Sequence, residues 1–314
     1  VDDTLSFFMN AILLLIPDLA MIAIGALLYR FWHSGREFWP GIERLTYFVL
    51  FPSLLFTTVA RTRFVAGEAL PALSVTLGAI AVGIILGFAA RWLLRPQPVH
   101  FASGVQCAFR FNSYVMIALS QRMAGDEGLA LAAVIVGMSV PLLNIAAVYS
   151  LARTAGGSLW RELARNPLLL ATIGGMIVSL TQMPIPEPIL ATTARLGQAS
   201  LALGLLAAGA GLRFERVRSD QAQVRASAQR LALWFTSVKL VAMPATALLL
   251  ARVFNLPPLA TLIVVMYASL PTAPAAYILA SRMGGDGPFV AYLISLSLLG
   301  SLVALPVWLN LAGA

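Results

Sequence analysis

The sequence predicts an all-α membrane protein of ten transmembrane helices, arranged as two inverted repeats of five. Three observations predict it. Of the 314 residues, 60% are hydrophobic and only 11% charged, with a mean hydropathy of +0.87, which leaves too little charge to coat a soluble domain. The apolar residues come in runs of about 20, the length a helix needs to cross a hydrocarbon core ~30 Å thick. A polar phrase, "RMAGD" at 122–126, returns as "RMGGD" at 282–286, and each copy follows an apolar run.

The runs fall at 8–30, 39–60, 69–94, 103–122, 128–151, 166–184, 188–211, 230–252, 257–281 and 288–311. The third, "LPALSVTLGAIAVGIILGFAARWLL", is the cleanest. The sixth ends in "TQMPIPEP", where Pro184, Pro186 and Pro188 forbid a continuous helix into the seventh. The phrase follows spans four and nine, so the duplicated unit holds five spans. An odd number of crossings turns the second copy (166–311) upside down relative to the first (8–151). Gly125 with Asp126, and Gly285 with Asp286, are expected to form tight turns between helices.

Alternating the connections between two faces puts 14 of the 21 basic residues on one face and 5 on the other, with Arg110 and Lys239 inside spans. The positive-inside rule makes the first face cytoplasmic and leaves both termini outside. The opening "VDDTLSFFMN" is acidic and lacks a small-residue cleavage pattern behind it, so no signal peptide is expected.

Membrane topology accounts for the net charge of +8 better than nucleic-acid binding does. Cys107 is the single cysteine, which excludes an intrachain disulfide. No HExxH, GxSxG, phosphate loop or cysteine pair is present. His33 and His100 stand two spans apart without metal spacing, and Asp126 and Asp286 lie in loops on opposite sides. The expectation is a protein that is not an enzyme and holds no metal or cofactor.

The ordinary helix pattern fails in two places. The ninth span reads "YASLPTAPAAYILA"; Pro271 and Pro274 each remove a backbone donor, which produces either a kink or a discontinuous helix at mid-membrane. A break there is tolerable only in protein or beside water. At an offset of 160 residues its partner is "CAFRFNSYVMIAL". Arg110 in that segment either snorkels to an interface or recognises an anion, since its planar fork grips carboxylates bidentately. Asn112, Ser113 and Thr272 add neutral hydrogen bonds; Tyr114 and Tyr277 either seal a site or pack. Pro141 can bend the fifth span and bring Asn144 to the broken helix. Asp18 and Lys239, the other charges within spans, are candidates for H+ or Na+ coupling or for structural roles. The small residues of "GLLAAGAG" at 204–211 suit close helix packing.

These phrases, in order, carry a resemblance. "LTYFVLFPSLLF", "RFN" at 110–112, "SVPLLN" at 139–144, "RNP" at 165–167, "KLVAMP" at 239–244 and "ASLPTAPAAYILASRMGGD" at 268–286 are similar to bacterial members of the auxin efflux carrier family. That family is related to the PIN transporters and more distantly to bile acid/sodium symporters. The resemblance spans nearly the whole chain. It implies broken helices four and nine crossing inside a mobile transport domain (helices 3–5 and 8–10), against a scaffold of helices 1, 2, 6 and 7. It also implies an organic-anion substrate, an auxin or a small carboxylate, and a homodimer through the scaffold. The crossovers map to Arg110–Asn112–Tyr114 and Pro271–Pro274. Relatives commonly carry a proline in helix four, whereas here none occurs between Pro98 and Pro141. The implied function is elevator-type secondary transport of that anion; a sodium-coupled bile-acid-like symporter and a non-transporting anion receptor are the alternatives.

Overall fold

A computed structural model describes residues 16–17, 20–31, 38–61, 69–154, 164–211 and 222–313. Asp18 and His33 lie outside them, as do the side chains of Tyr114 and Asp126. Every described element is helical. The elements in chain order are α1 (Ala20–Phe31), α2 (Phe38–Ala60), α3 (Ala69–Leu93), α4 (Pro98–Gly104, continued by a 3-10 turn Val105–Ala108) and α5 (Ser113–Thr154). After them come α6 (Pro167–Thr181), α7 (Glu187–Gly211), α8 (Ala222–Ser237 and Met243–Val253 joined through a π turn), α9 (Pro258–Ser269), α10 (Ala275–Arg282) and α11 (Gly287–Leu311). Among the described residues six helices are long and apolar enough to cross a membrane: α2, α3, α5 beyond its break, α7, α8 and α11. The chain is a multi-pass, all-α membrane protein.

Two of the quoted phrases prove to be the same local device. "LTYFVLFP" and "SVKLVAMP" each hold a π turn, Thr46–Leu50 and Val238–Ala242, that closes two residues before Pro52 or Pro244. Proline has no N–H for the carbonyl one turn back, and a π turn absorbs the mismatch. The Leu240 carbonyl, four residues before Pro244, accepts instead from Trp308 Nε1 at 2.8 Å. "RNP" is a helix start: Asn166 Oδ1 accepts from the Leu168 amide at 3.0 Å, Pro167 opens α6, and Asn166 Nδ2 donates to the Tyr47 hydroxyl at 3.1 Å.

Two groups of close packing stand out, and they touch each other where α10 and α11 meet α7. The second half of α2 (Phe51–Ala60) lies against α6 and α7; α9 and α11 pack together, and the Met243–Val253 part of α8 packs with α9 and α3. Close backbone approach holds the first group. A Cβ on Gly209 of α7 would run into the Ile22 carbonyl of α1, and one on Gly25 into that of Leu206, so the small residues of "GLLAAGAG" serve packing.

The repeated phrase turns at different letters in its two copies. Gly125 carries the positive φ (58°) that breaks α5. In the second copy Gly284 carries it (φ 73°), not Gly285 as expected. Gly285 is needed for space instead, because a Cβ there would stand 2.6 Å from Ser103 Oγ and 3.0 Å from Leu151 Cδ2. His100, expected in a connection, sits buried on α4.

Candidate functional site

Within the fourth predicted span the helix stops at Ala108 and resumes at Ser113. No proline does this. Gln106 ends the first piece, its carbonyl accepting from the Phe109 amide at 3.3 Å and the Arg110 amide at 2.9 Å. Asn112 starts the second, its Oδ1 accepting from the Val115 amide at 3.3 Å as an N-cap would. In the ninth predicted span α9 ends at Ser269, Leu270 is extended (φ −66°, ψ 150°), and α10 begins after Pro274. The two breaks touch: the Asn112 amide donates to the Pro271 carbonyl at 2.9 Å. Buried, non-helical backbone thus finds its partner in the other break, as a low-dielectric interior requires. Thr272 is held from both sides, its amide donating to Ser297 Oγ at 3.1 Å and its hydroxyl to the Cys107 carbonyl at 3.0 Å.

Arg110 does not snorkel. It is 5% exposed, with Nη1 donating to Gln106 Oε1 at 3.2 Å and Nη2 to Asn144 Oδ1 at 3.0 Å. Both acceptors are neutral, so these bonds orient the guanidinium without cancelling its charge. Among the described residues no carboxylate lies within ion-pair distance of it. Arg110, Asn112, Ser113, Asn144 and Pro274 line a cavity of about 40 Å³, together with Phe51, Leu54 and Leu55 of α2. The N-terminal ends of α5 and α10 both border this space, and helix N-termini favour anions. One water needs about 10–15 Å³, so this conformation admits a few waters and no organic acid.

Lys239 is fully buried on the π turn of α8. Its Nζ donates to the Ala268 carbonyl, near the C-terminal end of α9, at 3.1 Å and lies 6.0 Å from the Tyr267 ring centroid. Tyr267 in turn packs on Phe111 with centroids 4.3 Å apart. Lys239 therefore meets the end of α9 and does not line the cavity that Arg110 lines. Pro141 is buried within α5.

Three participants were not anticipated. Gln106 joins both breaks: besides receiving Arg110, its Nε2 donates to the Ser103 carbonyl at 3.1 Å and the Ala276 carbonyl at 3.3 Å. Its position one turn before Arg110 was the available signal. Glu43 of α2 accepts the Tyr277 hydroxyl at 2.7 Å, so Tyr277 reaches across to α2 rather than lining the cavity. His100 Nε2 lies 3.0 Å from Asp286 Oδ2. Asp286 also caps α11 by accepting from the Phe289 amide at 2.9 Å, while its own amide donates to Ser103 Oγ at 2.7 Å. Burial works to raise the Asp286 carboxyl, but the bonds from His100 and Phe289 outweigh it and hold the group below the usual carboxylate range. Nothing in the sequence pairs His100 with Asp286. Among the described residues no grouping of His, Cys, Asp and Glu could hold a metal ion.

Among the described residues, six long apolar helices and a buried polar junction between two broken ones define a multi-pass membrane protein with an internal polar site. A family model described as "Membrane transport protein" matches residues 149–309, just over half of the chain. The chain belongs to this membrane transport protein family. The matched stretch holds Lys239, the α9–α10 break and Asp286, and leaves Arg110 and Asn112 outside. No curated protein matches the chain.

Proposed function

We propose that this chain is a secondary active transporter of a small organic anion, of the auxin efflux carrier type, working by elevator-type alternating access. Its fold on this reading is ten helices in two inverted five-helix repeats, with helices four (α4 and the start of α5) and nine (α9 and α10) crossing. The observation that carries the proposal is the Arg110 guanidinium, which no carboxylate among the described residues cancels, at a cavity bordered by two half-helix N-termini. A carboxylate there would accept from Arg110 and from Asn112 or Ser113, with Asn144 fixing the guanidinium. The α2 side chains Phe51, Leu54 and Leu55 close the cavity opposite the breaks, which supports a scaffold of helices one, two, six and seven with a transport domain moving past it. The Tyr277–Glu43 bond would break in each cycle.

Coupling to H+ or Na+ belongs to the same proposal. Carbonyls at half-helix C-terminal ends coordinate cations in secondary transporters. Here the Ala268 carbonyl takes Lys239 and the Cys107 carbonyl takes Thr272, which argues against Na+ at those atoms. The bacterial inner membrane, external termini and a homodimer through the scaffold complete the reading.

The test is flux into sealed proteoliposomes over a panel of mono- and dicarboxylates, under imposed Na+ and H+ gradients. A carrier shows saturable turnover that Arg110→Ala abolishes. A receptor binds without turnover, which replaces the proposal; uptake that collapses without Na+ assigns Na+ as the coupling ion, and replaces the proposal only where the solute moved is bile-acid-like.

A further inference from the structure

A larger groove, of about 620 Å³, lies where α3, α4 and α5 meet and shares no lining residue with the cavity at the breaks. That volume is within the range of about 300–1,000 Å³ common for small-molecule sites. Its walls are aromatic: Phe88 stands edge-on to the buried Phe101 with centroids 5.9 Å apart, and Tyr149 lies 6.2 Å from Phe88. Its rim is cationic, with Arg91 from the last turn of α3 and Arg153 from the last turn of α5. Arg153 is held in place: Nη1 donates to the Tyr149 hydroxyl at 2.7 Å and the guanidinium lies 5.5 Å from the ring centroid.

We propose that this groove seats the headgroup of an anionic phospholipid. Leu70–Leu93 and Glu127–Arg153 are apolar spans, so Arg91 and Arg153 stand where hydrocarbon gives way to headgroups. Trp92, 71% exposed beside Arg91, suits that depth as interfacial tryptophans do. Two helix C-termini end here and each contributes about −0.5 of a charge. The two arginines outweigh them, and among the described residues no carboxylate lies within ion-pair distance of either. An apolar floor beneath a cationic rim matches an amphiphile: phosphate oxygens on the guanidinium forks, glycerol and upper acyl carbons on the rings. A soluble phosphate would use the rim alone. The basic-residue bias puts this end in the cytoplasmic leaflet, where anionic lipids concentrate. The inference rests on the membrane topology and not on the identity of the transported solute.

The experiment titrates the purified full-length protein in neutral detergent with dioleoyl phosphatidylglycerol or dioleoyl phosphatidylcholine and reads thermal unfolding and native mass spectra. Phosphatidylglycerol is expected to bind saturably and raise the midpoint, with phosphatidylcholine inert. The double variant Arg91→Gln/Arg153→Gln should need roughly 25-fold more phosphatidylglycerol, two basic contacts' worth, while its midpoint without lipid falls only slightly, because both side chains are exposed and the one hydrogen bond lost is the surface bond from Arg153 to Tyr149. Arg91→Lys/Arg153→Lys should retain most of the affinity. Equal response to both lipids, or a double glutamine variant that binds like the parent, overturns the proposal. So does an equal midpoint shift from inorganic phosphate, which would identify a soluble ligand instead.

Discussion

Replacing Arg110 by methionine separates a binding role from a structural one. The substitution removes the hydrogen bonds to Gln106 and Asn144; bonds from a charged donor are worth about 1.5–3 kcal/mol each, or about 3–6 kcal/mol for the pair. It also removes an arginine from membrane depth, a relief of about 2.5–3.5 kcal/mol on insertion scales. The two nearly offset, leaving a net loss of about 0–3 kcal/mol, so the variant should fold and shift its thermal midpoint only modestly. Anion binding has no such compensation. Truncating one partner of a buried charge pair costs about 2–5 kcal/mol, or about 30-fold to several thousand-fold in affinity. The assay is binding by calorimetry and proteoliposome flux over a carboxylate panel, with the apo midpoint measured alongside. Arg110→Lys, which keeps the charge and loses the fork, should fall between parent and methionine. A methionine variant that binds and moves every carboxylate as the parent does would refute the assignment, whatever its midpoint.

Other expectations follow from neighbouring contacts. Asn112→Ala removes the cap at the start of α5 and should cost about 0.5–2 kcal/mol in unfolding experiments, with a flux defect larger than the stability loss implies. Lys239→Met strips the Ala268 carbonyl of its donor, at about 1–3 kcal/mol for one unsatisfied buried group, against about 2.5–3.5 kcal/mol relieved by taking a lysine out of membrane depth, so the thermal midpoint should hold or rise slightly. Tyr277→Phe frees Glu43 and should shift the population between inward- and outward-facing states, measurable by paired spin labels on α2 and α10. Asp286 is depressed in the folded state, so its contribution to stability is present above the ordinary carboxylate value and lost as pH falls through the lower folded one. Asp286→Asn should flatten that acidic limb of a midpoint-against-pH curve, leaving the rest of the curve in place.

The breaks show how legibility divides. Pro271 and Pro274 announce the second in the sequence, because a missing N–H is a covalent fact visible without neighbours. The first has no proline, and its backbone is satisfied by Gln106, by the Asn112 side chain and by a carbonyl from the other half of the chain. Arg110 stood out as a charge in an apolar run, yet only its burial against Gln106 and Asn144 decides between snorkelling and orientation. Lys239 was legible as anomalous and illegible as to partner, since Ala268 lies 29 residues away on another helix.

By itself the sequence determined what lipid demands of any chain: apolar runs of spanning length, charge kept to the connections but for a few anomalous residues, and the proline-marked interruption. These follow from desolvation and covalent geometry, which act residue by residue. The tertiary structure alone decided which polar groups meet: Asn112 with Pro271, Tyr277 with Glu43, His100 with Asp286, and Arg91 and Arg153 over a shared aromatic floor. Such pairings depend on how helices distant in the chain dock, and a hydrogen bond or ion pair counts only across the last few ångströms.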